Sequence, residues 1–121
     1  MEAKKVRNQA AQGDILLRRV KSIPKSARKV EPVGGRHIVA HSETGHHHYL
    51  AAAGVELFQD PGNPLIAYLR LAGPATLVHG RETDTHAPLA LGGGARPSRP
   101  AHFEVRRQRE YTPAGWQRVE D

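Results

Sequence analysis

Eight histidines occur in a chain of 121 residues that has no cysteine, and four of them fall within one stretch of ten, HSETGHHHYL (41–50). Imidazole titrates near neutrality and is a nitrogen ligand for transition metals. The stretch therefore has three readings: a metal site, a proton-sensitive cluster whose members repel once charged, or an exposed polar hairpin with incidental metal affinity. Side-chain alternation along a strand sends His46 and His48 to one face and His47 to the other, so the first two can chelate together. A transition-metal site asks for three or four ligands at about 2.0–2.2 Å, more than one hairpin supplies. The later segment LVHGRETDTHAPL adds His79, Glu82, Asp84 and His86. The expected ligand set is His46, His48, His79 and His86 around a divalent transition metal such as Zn, Fe, Mn or Ni, with Glu82 or His41 as substitutes. Hairpin register decides which neighbours join: opposing residue 41 with 46 or 48 brings His41, and farther along His37, to the chelating face, whereas opposing it with 47 does not.

Other chemistries are excluded or weakened by the same letters. Without cysteine there are no disulfides, thiolate metal sites or cysteine nucleophiles. GGGARPSRP (92–100) lacks both the Gly-Lys-Ser/Thr ending of a phosphate loop and the spacing of a dinucleotide turn, so no nucleotide cofactor is expected. Ser42 and Ser98 have no nucleophile-elbow context, and Glu43, Glu56, Glu82 and Glu104 are too scattered to nominate an acid–base pair.

The run TGHHH, with a later histidine on another strand or loop, resembles the metal motif of cupins, through Gly45, His46 and His48. That resemblance implies a double-stranded β-barrel with a metal held inside by a His-x-His pair, a glutamate and a distant histidine. This chain departs from the pattern: the next glutamate after the pair is Glu56, and His86 precedes Pro88 and the glycines.

Eighteen Lys and Arg against twelve Asp and Glu give a formal charge of +6, which attracts polyanions. Lys21, Lys25, Arg28 and Lys29 make a nearly uninterrupted positive loop, and Arg107 and Arg109 share a strand face with Tyr111, an arrangement able to grip phosphate or stack on a base. A solvated edge strand with cross-strand ion pairs accounts for the same letters. The competing functional expectation is thus a structural or accessory assembly protein, of phage or mobile-element type, that binds a protein or nucleic acid through basic segments. Either way, the oligomeric state and any substrate are open.

The elements that must position these groups read as strands. Short aliphatic runs recur at 13–20, 36–42, 46–52, 55–59, 65–72, 75–80 and 102–111, separated by Gly, Pro, Asp and Asn. The expectation is one all-β domain over residues 1–121, a small antiparallel barrel or sandwich, with a hairpin across SETG, a basic N-terminal arm over 1–12, and flexible loops at 21–35 and 92–100. A helix at 104–111 is the local rival to the last strand. No apolar run is long enough to span a bilayer, so the expectation is a soluble cytoplasmic protein without membrane contact.

Overall fold

A computed structural model describes residues 3–40, 47–80, 87–96, 98–112 and 115–118, with side chains from 109 onward outside the description. All regular structure among these residues is β. One sheet has five strands in the order β1 (Lys4–Val6), β10 (Leu89–Leu91), β9 (Ala75–His79), β6 (His48–Ala51) and β5 (Arg36–Ala40). The other has six, in the order β2 (Gln9–Gln12), β3 (Ile15–Val20), β11 (Ala101–Arg107), β8 (Ile66–Leu71), β7 (Val55–Gln59) and β4 (Arg28–Val30). A two-stranded ribbon, β12 (Arg109–Thr112) with β13 (Gly115–Arg118), follows. Every pairing is antiparallel except β1 with β10. The described strands do not close into a barrel, and none of their elements is a helix, so none can cross a membrane as one.

Period-two alternation builds the core. On β3, Ile15 and Leu17 are fully buried while Leu16 and Arg18 are exposed; on β11, Phe103 and Val105 are buried and Arg106 is exposed. These residues, with Leu57, Leu69 and Leu71, join Leu50, Leu77, Leu89 and Leu91 of the five-stranded sheet in one apolar cluster. Burial of several full aliphatic side chains, at roughly 1.5–3 kcal/mol each, is the main term holding the sheets together.

The N-terminal segment departs from the arm expected over 1–12. Lys4–Val6 lies parallel to Leu89–Leu91, with Val6 buried, and Gln9–Gln12 forms a hairpin with β3. Gly13 has a φ of +57°, which a two-residue hairpin turn of the II′ kind requires at its first position. The pairing energy comes from strands 10 and 3, one of them far away in sequence, and the polar letters of the segment do not announce it. The loop expected at 21–35 likewise contains β4, paired with β7. The long strand expected over 102–111 is interrupted at Gln108, whose N–H donates to Asp14 O at 2.8 Å.

Candidate functional site

SETG itself lies outside the described residues, while the strands expected to flank it, β5 and β6, pair antiparallel, with a bulge between Ile38 and Ala40 that pairs Ala40 with His48. Next to it, His48 pairs with His79 of β9, and Gly80 N–H donates to His47 O at 2.9 Å. This register brings two histidines from separated segments to the core-side face at one end of the five-stranded sheet. Both are about 1% exposed, and their rings stack with centroids 4.2 Å apart and planes 1° from parallel.

Three further polar side chains close on them, all from the other sheet or its turns. Gln12, buried at the end of β2, donates from Nε2 to Leu77 O and Ala87 O, each at 3.0 Å. Two donations from the amide nitrogen fix the orientation of this amide, so Oε1 is the acceptor that meets His48 Nδ1 at 2.8 Å. His48 therefore carries its proton on Nδ1 and donates it to Gln12. The other ring nitrogen, Nε2, faces Asp14 Oδ1 at 3.3 Å. Asp14 sits at the second position of the Gly13 turn, yet is only 2% exposed, and its other oxygen meets Arg107 Nη2 at 3.4 Å. Arg107 is the last residue of β11 and has a side chain 11% exposed.

Burial makes this arrangement demanding. Removing a carboxylate and a guanidinium from water costs several kcal/mol per ion, offset only by their mutual attraction and hydrogen bonds. Arg107 supplies the attraction for Asp14, and Gln12 supplies the hydrogen bond for His48 Nδ1. Chemically, it presents one imidazole with a fixed tautomer and a carboxylate beside its remaining nitrogen, next to a second imidazole.

Of the expected metal ligands, His48 and His79 are thus brought together, while His46 and His86 lie outside the described residues, as do His41 and Glu82. Among the described residues no group of three His, Asp or Glu side chains is arranged to hold a metal ion. His37 reaches the core-side face opposite Leu50, but its Nε2 lies 3.0 Å from Val55 O, a bond that commits that nitrogen as donor. Lys21, Lys25, Arg28 and Lys29 are exposed, the last two on edge strand β4; Arg107 points inward at Asp14, and the Arg109 side chain is outside the description. Sequence reasoning missed Gln12 and Asp14. The only signal was alternation along QAAQ, which sends Ala10 and Gln12 to one face, and an arm has no faces.

The chain belongs to the family described as Domain of unknown function (DUF8820), matched over residues 11–108, a span that includes all five members of the buried cluster. Membership lends no support to a cupin relationship. No curated protein and no solved structure matches the chain.

Proposed function

We propose that this family member is a divalent-transition-metal-binding β module whose site draws on His48, with Asp14 beside it as a carboxylate ligand and with His79 turned out of its parallel stack to reach the ion. The observation that carries the reading is the preparation of His48. A histidine that binds a metal donates its other ring N–H to a carbonyl or carboxylate, which fixes the tautomer and raises ligand basicity; Gln12 Oε1 does this for His48 at 2.8 Å. The 3.3 Å between His48 Nε2 and Asp14 Oδ1 is long for a charge-assisted hydrogen bond. It approaches the edge, about 3.4 Å, between two ligands each about 2.1 Å from one metal at a tetrahedral angle. Two imidazoles and a carboxylate suit Fe(II), Mn(II) or Zn(II), and His46 and His86 are the further ligands in this reading. A metal there would polarise a substrate oxygen or activate water. The cysteine-free composition accords with cytoplasmic residence.

Elemental analysis of tag-free protein, reconstituted with Zn(II), Mn(II) or Fe(II) and then desalted, tests the reading. About one equivalent of metal in the wild type, lost in the double variant His48→Ala/His79→Ala and in Asp14→Asn, is the expected result. Metal-free wild type, or full metal retained without both histidines, overturns it. Where the double variant does not fold, the visible absorption of Co(II)-loaded wild type decides: bands shaped by nitrogen and oxygen ligands are expected, and the featureless spectrum of hydrated Co(II) is the contrary outcome.

A second reading, a structural or accessory assembly protein, is favoured by the exposed cations Lys21, Lys25, Arg28 and Lys29. In that case metal content is nil and retention on a polyanion weakens with salt.

A further inference from the structure

The six-stranded sheet has a second face, opposite the apolar cluster, and its side chains are set in register rows. Across five neighbouring strands run Arg18, Glu104, Tyr68, Phe58 and Lys29, each the direct partner of the next. A row to one side holds Val20, His102, Arg70 and Glu56; the row to the other side holds Leu16, Arg106 and Ile66.

Two features set this face apart from an ordinary solvated sheet. The first is how its charges are layered. Glu104, with a side chain 8% exposed, lies at the floor, and two arginines converge on it: Arg106 Nε at 2.6 Å and Arg18 Nη2 at 3.3 Å. Their side chains are 51% and 57% exposed, so the carboxylate holds the guanidiniums from below while their remaining N–H groups face water. Glu56 is likewise shared by Lys29 and Arg70, both at 3.3 Å. Each cluster thus has two cations for one carboxylate and a surplus positive charge. The clusters centre on β11 and β7, two strands apart, or about 10 Å at the usual strand spacing. The second feature is aromatic: half-buried Phe58 lies beside the second cluster, two residues from Glu56 on β7, with the Arg70 guanidinium 5.0 Å from its ring centroid.

We propose that this face binds single-stranded nucleic acid, its phosphates held by Arg18 with Arg106 and by Lys29, and its bases stacked over Phe58 and the Arg70 guanidinium. Arginine forks pre-set by a buried carboxylate meet phosphate without first losing side-chain freedom. Aromatic and guanidinium planes accept any base, whereas a duplex hides its base faces and calls for an element that enters a groove. The positive balance of the face agrees in sign with the whole chain, at +6. The site is separate from the buried histidines and stands whether or not they hold a metal.

The test is fluorescence anisotropy of an end-labelled oligothymidylate of about 15 nucleotides, the upper range of site sizes for one β domain, titrated with the full chain at several salt concentrations. Binding is expected with a log–log salt slope of about −2, the value for three neutralised phosphates on a single strand. The triple variant Arg18→Gln/Glu104→Gln/Arg106→Gln removes the whole cluster and strands no buried charge. Two cations and one carboxylate are lost, so the formal charge falls from +6 to +5. Lys25→Gln, on an exposed loop, makes the same change in charge elsewhere. About tenfold weaker binding by the triple variant and by Phe58→Ala, with Lys25→Gln within twofold of wild type, supports the proposal; circular dichroism establishes that each variant is folded. Absence of binding at low salt, equal weakening by Lys25→Gln, or tighter binding of a duplex of the same length overturns it.

Discussion

Arg106 and Arg107 are neighbours on β11 and each holds a carboxylate, but they do so on opposite faces of one strand. Arg106 binds Glu104 from above, with half of its own side chain in water and Arg18 sharing the load. Arg107 binds Asp14 in the interior, where His48 meets the same carboxylate and the guanidinium is 11% exposed. In the first case only the carboxylate is taken from water, and both guanidiniums keep about half of their exposure. In the second, five polar side chains displace what apolar packing would supply, and replacing such a cluster by well-packed apolar residues is often neutral or stabilising. Stability therefore does not by itself explain Gln12, Asp14, His48, His79 and Arg107 at the sheet end, and the metal-site proposal is the reading that gives His48 and Asp14 a task there.

The sharpest way to break this contrast is Asp14→Ala. It leaves the Arg107 guanidinium in the interior without its carboxylate, a change that costs about 3–5 kcal/mol when a buried pair loses one partner. Urea unfolding of wild type and variant at neutral pH reads it directly. A loss under about 1 kcal/mol would place Asp14 in the same class as a surface carboxylate and remove the distinction drawn between the two faces.

Gln12→Ala tests the cluster from its uncharged end. The variant removes the hydrogen bonds that Gln12 makes to Leu77 O, Ala87 O and the Nδ1–H of His48, and each buried polar group left unsatisfied costs about 1–3 kcal/mol before water enters. A net loss of about 2–3 kcal/mol is expected, smaller than for Asp14 because no charge is stranded. Proton NMR of the imidazoles sharpens the result: an exchange-protected Nδ1–H resonance of His48 is expected in the wild type and should broaden or disappear in the variant.

The strands were legible because they are written locally. Val55–Gln59 has the bounds that its aliphatic alternation predicts, and Ile15–Val20, Arg36–Ala40, Ile66–Leu71 and Ala75–His79 lie inside their expected runs. Pairing of His48 with His79 follows from two such strands being neighbours, which the sequence suggested but could not impose. What was not legible depends on partners far along the chain. Lys4–Val6 is a strand because Leu89–Leu91 lies beside it. Asp14 reads as a turn residue, and its burial follows from where the turn docks. Alternation along β11 puts Arg107 on the same strand face as Phe103 and Val105; that face is the interior one, and the guanidinium that sequence reading offers to phosphate is engaged by Asp14. Alternation gives the side of a strand, and only the packing of a second sheet says which side is wet.

The smallest effect belongs to Glu56, on the wet side. Partial burial pulls its carboxyl upward, but the hydrogen bonds and charges of Lys29 and Arg70 outweigh that pull and set it below the ordinary 4.5. With the folded value depressed, the unfolded chain binds the proton more readily. The contribution is complete above the ordinary value and is lost as pH falls through the depressed one. Because Glu56 is 38% exposed, screening holds the effect to about 0.5 kcal/mol. Glu56→Gln should therefore lower stability by that amount at pH 7 in dilute buffer. The difference should shrink to nothing below the depressed value, and at pH 7 it should also fade in molar salt, where the Debye length drops to about 3 Å. The loss from Asp14→Ala, set in a dry interior, should survive the same salt. If salt erases both differences alike, water reaches Asp14 as freely as it reaches Glu56, and the two faces of β11 are not electrostatically distinct.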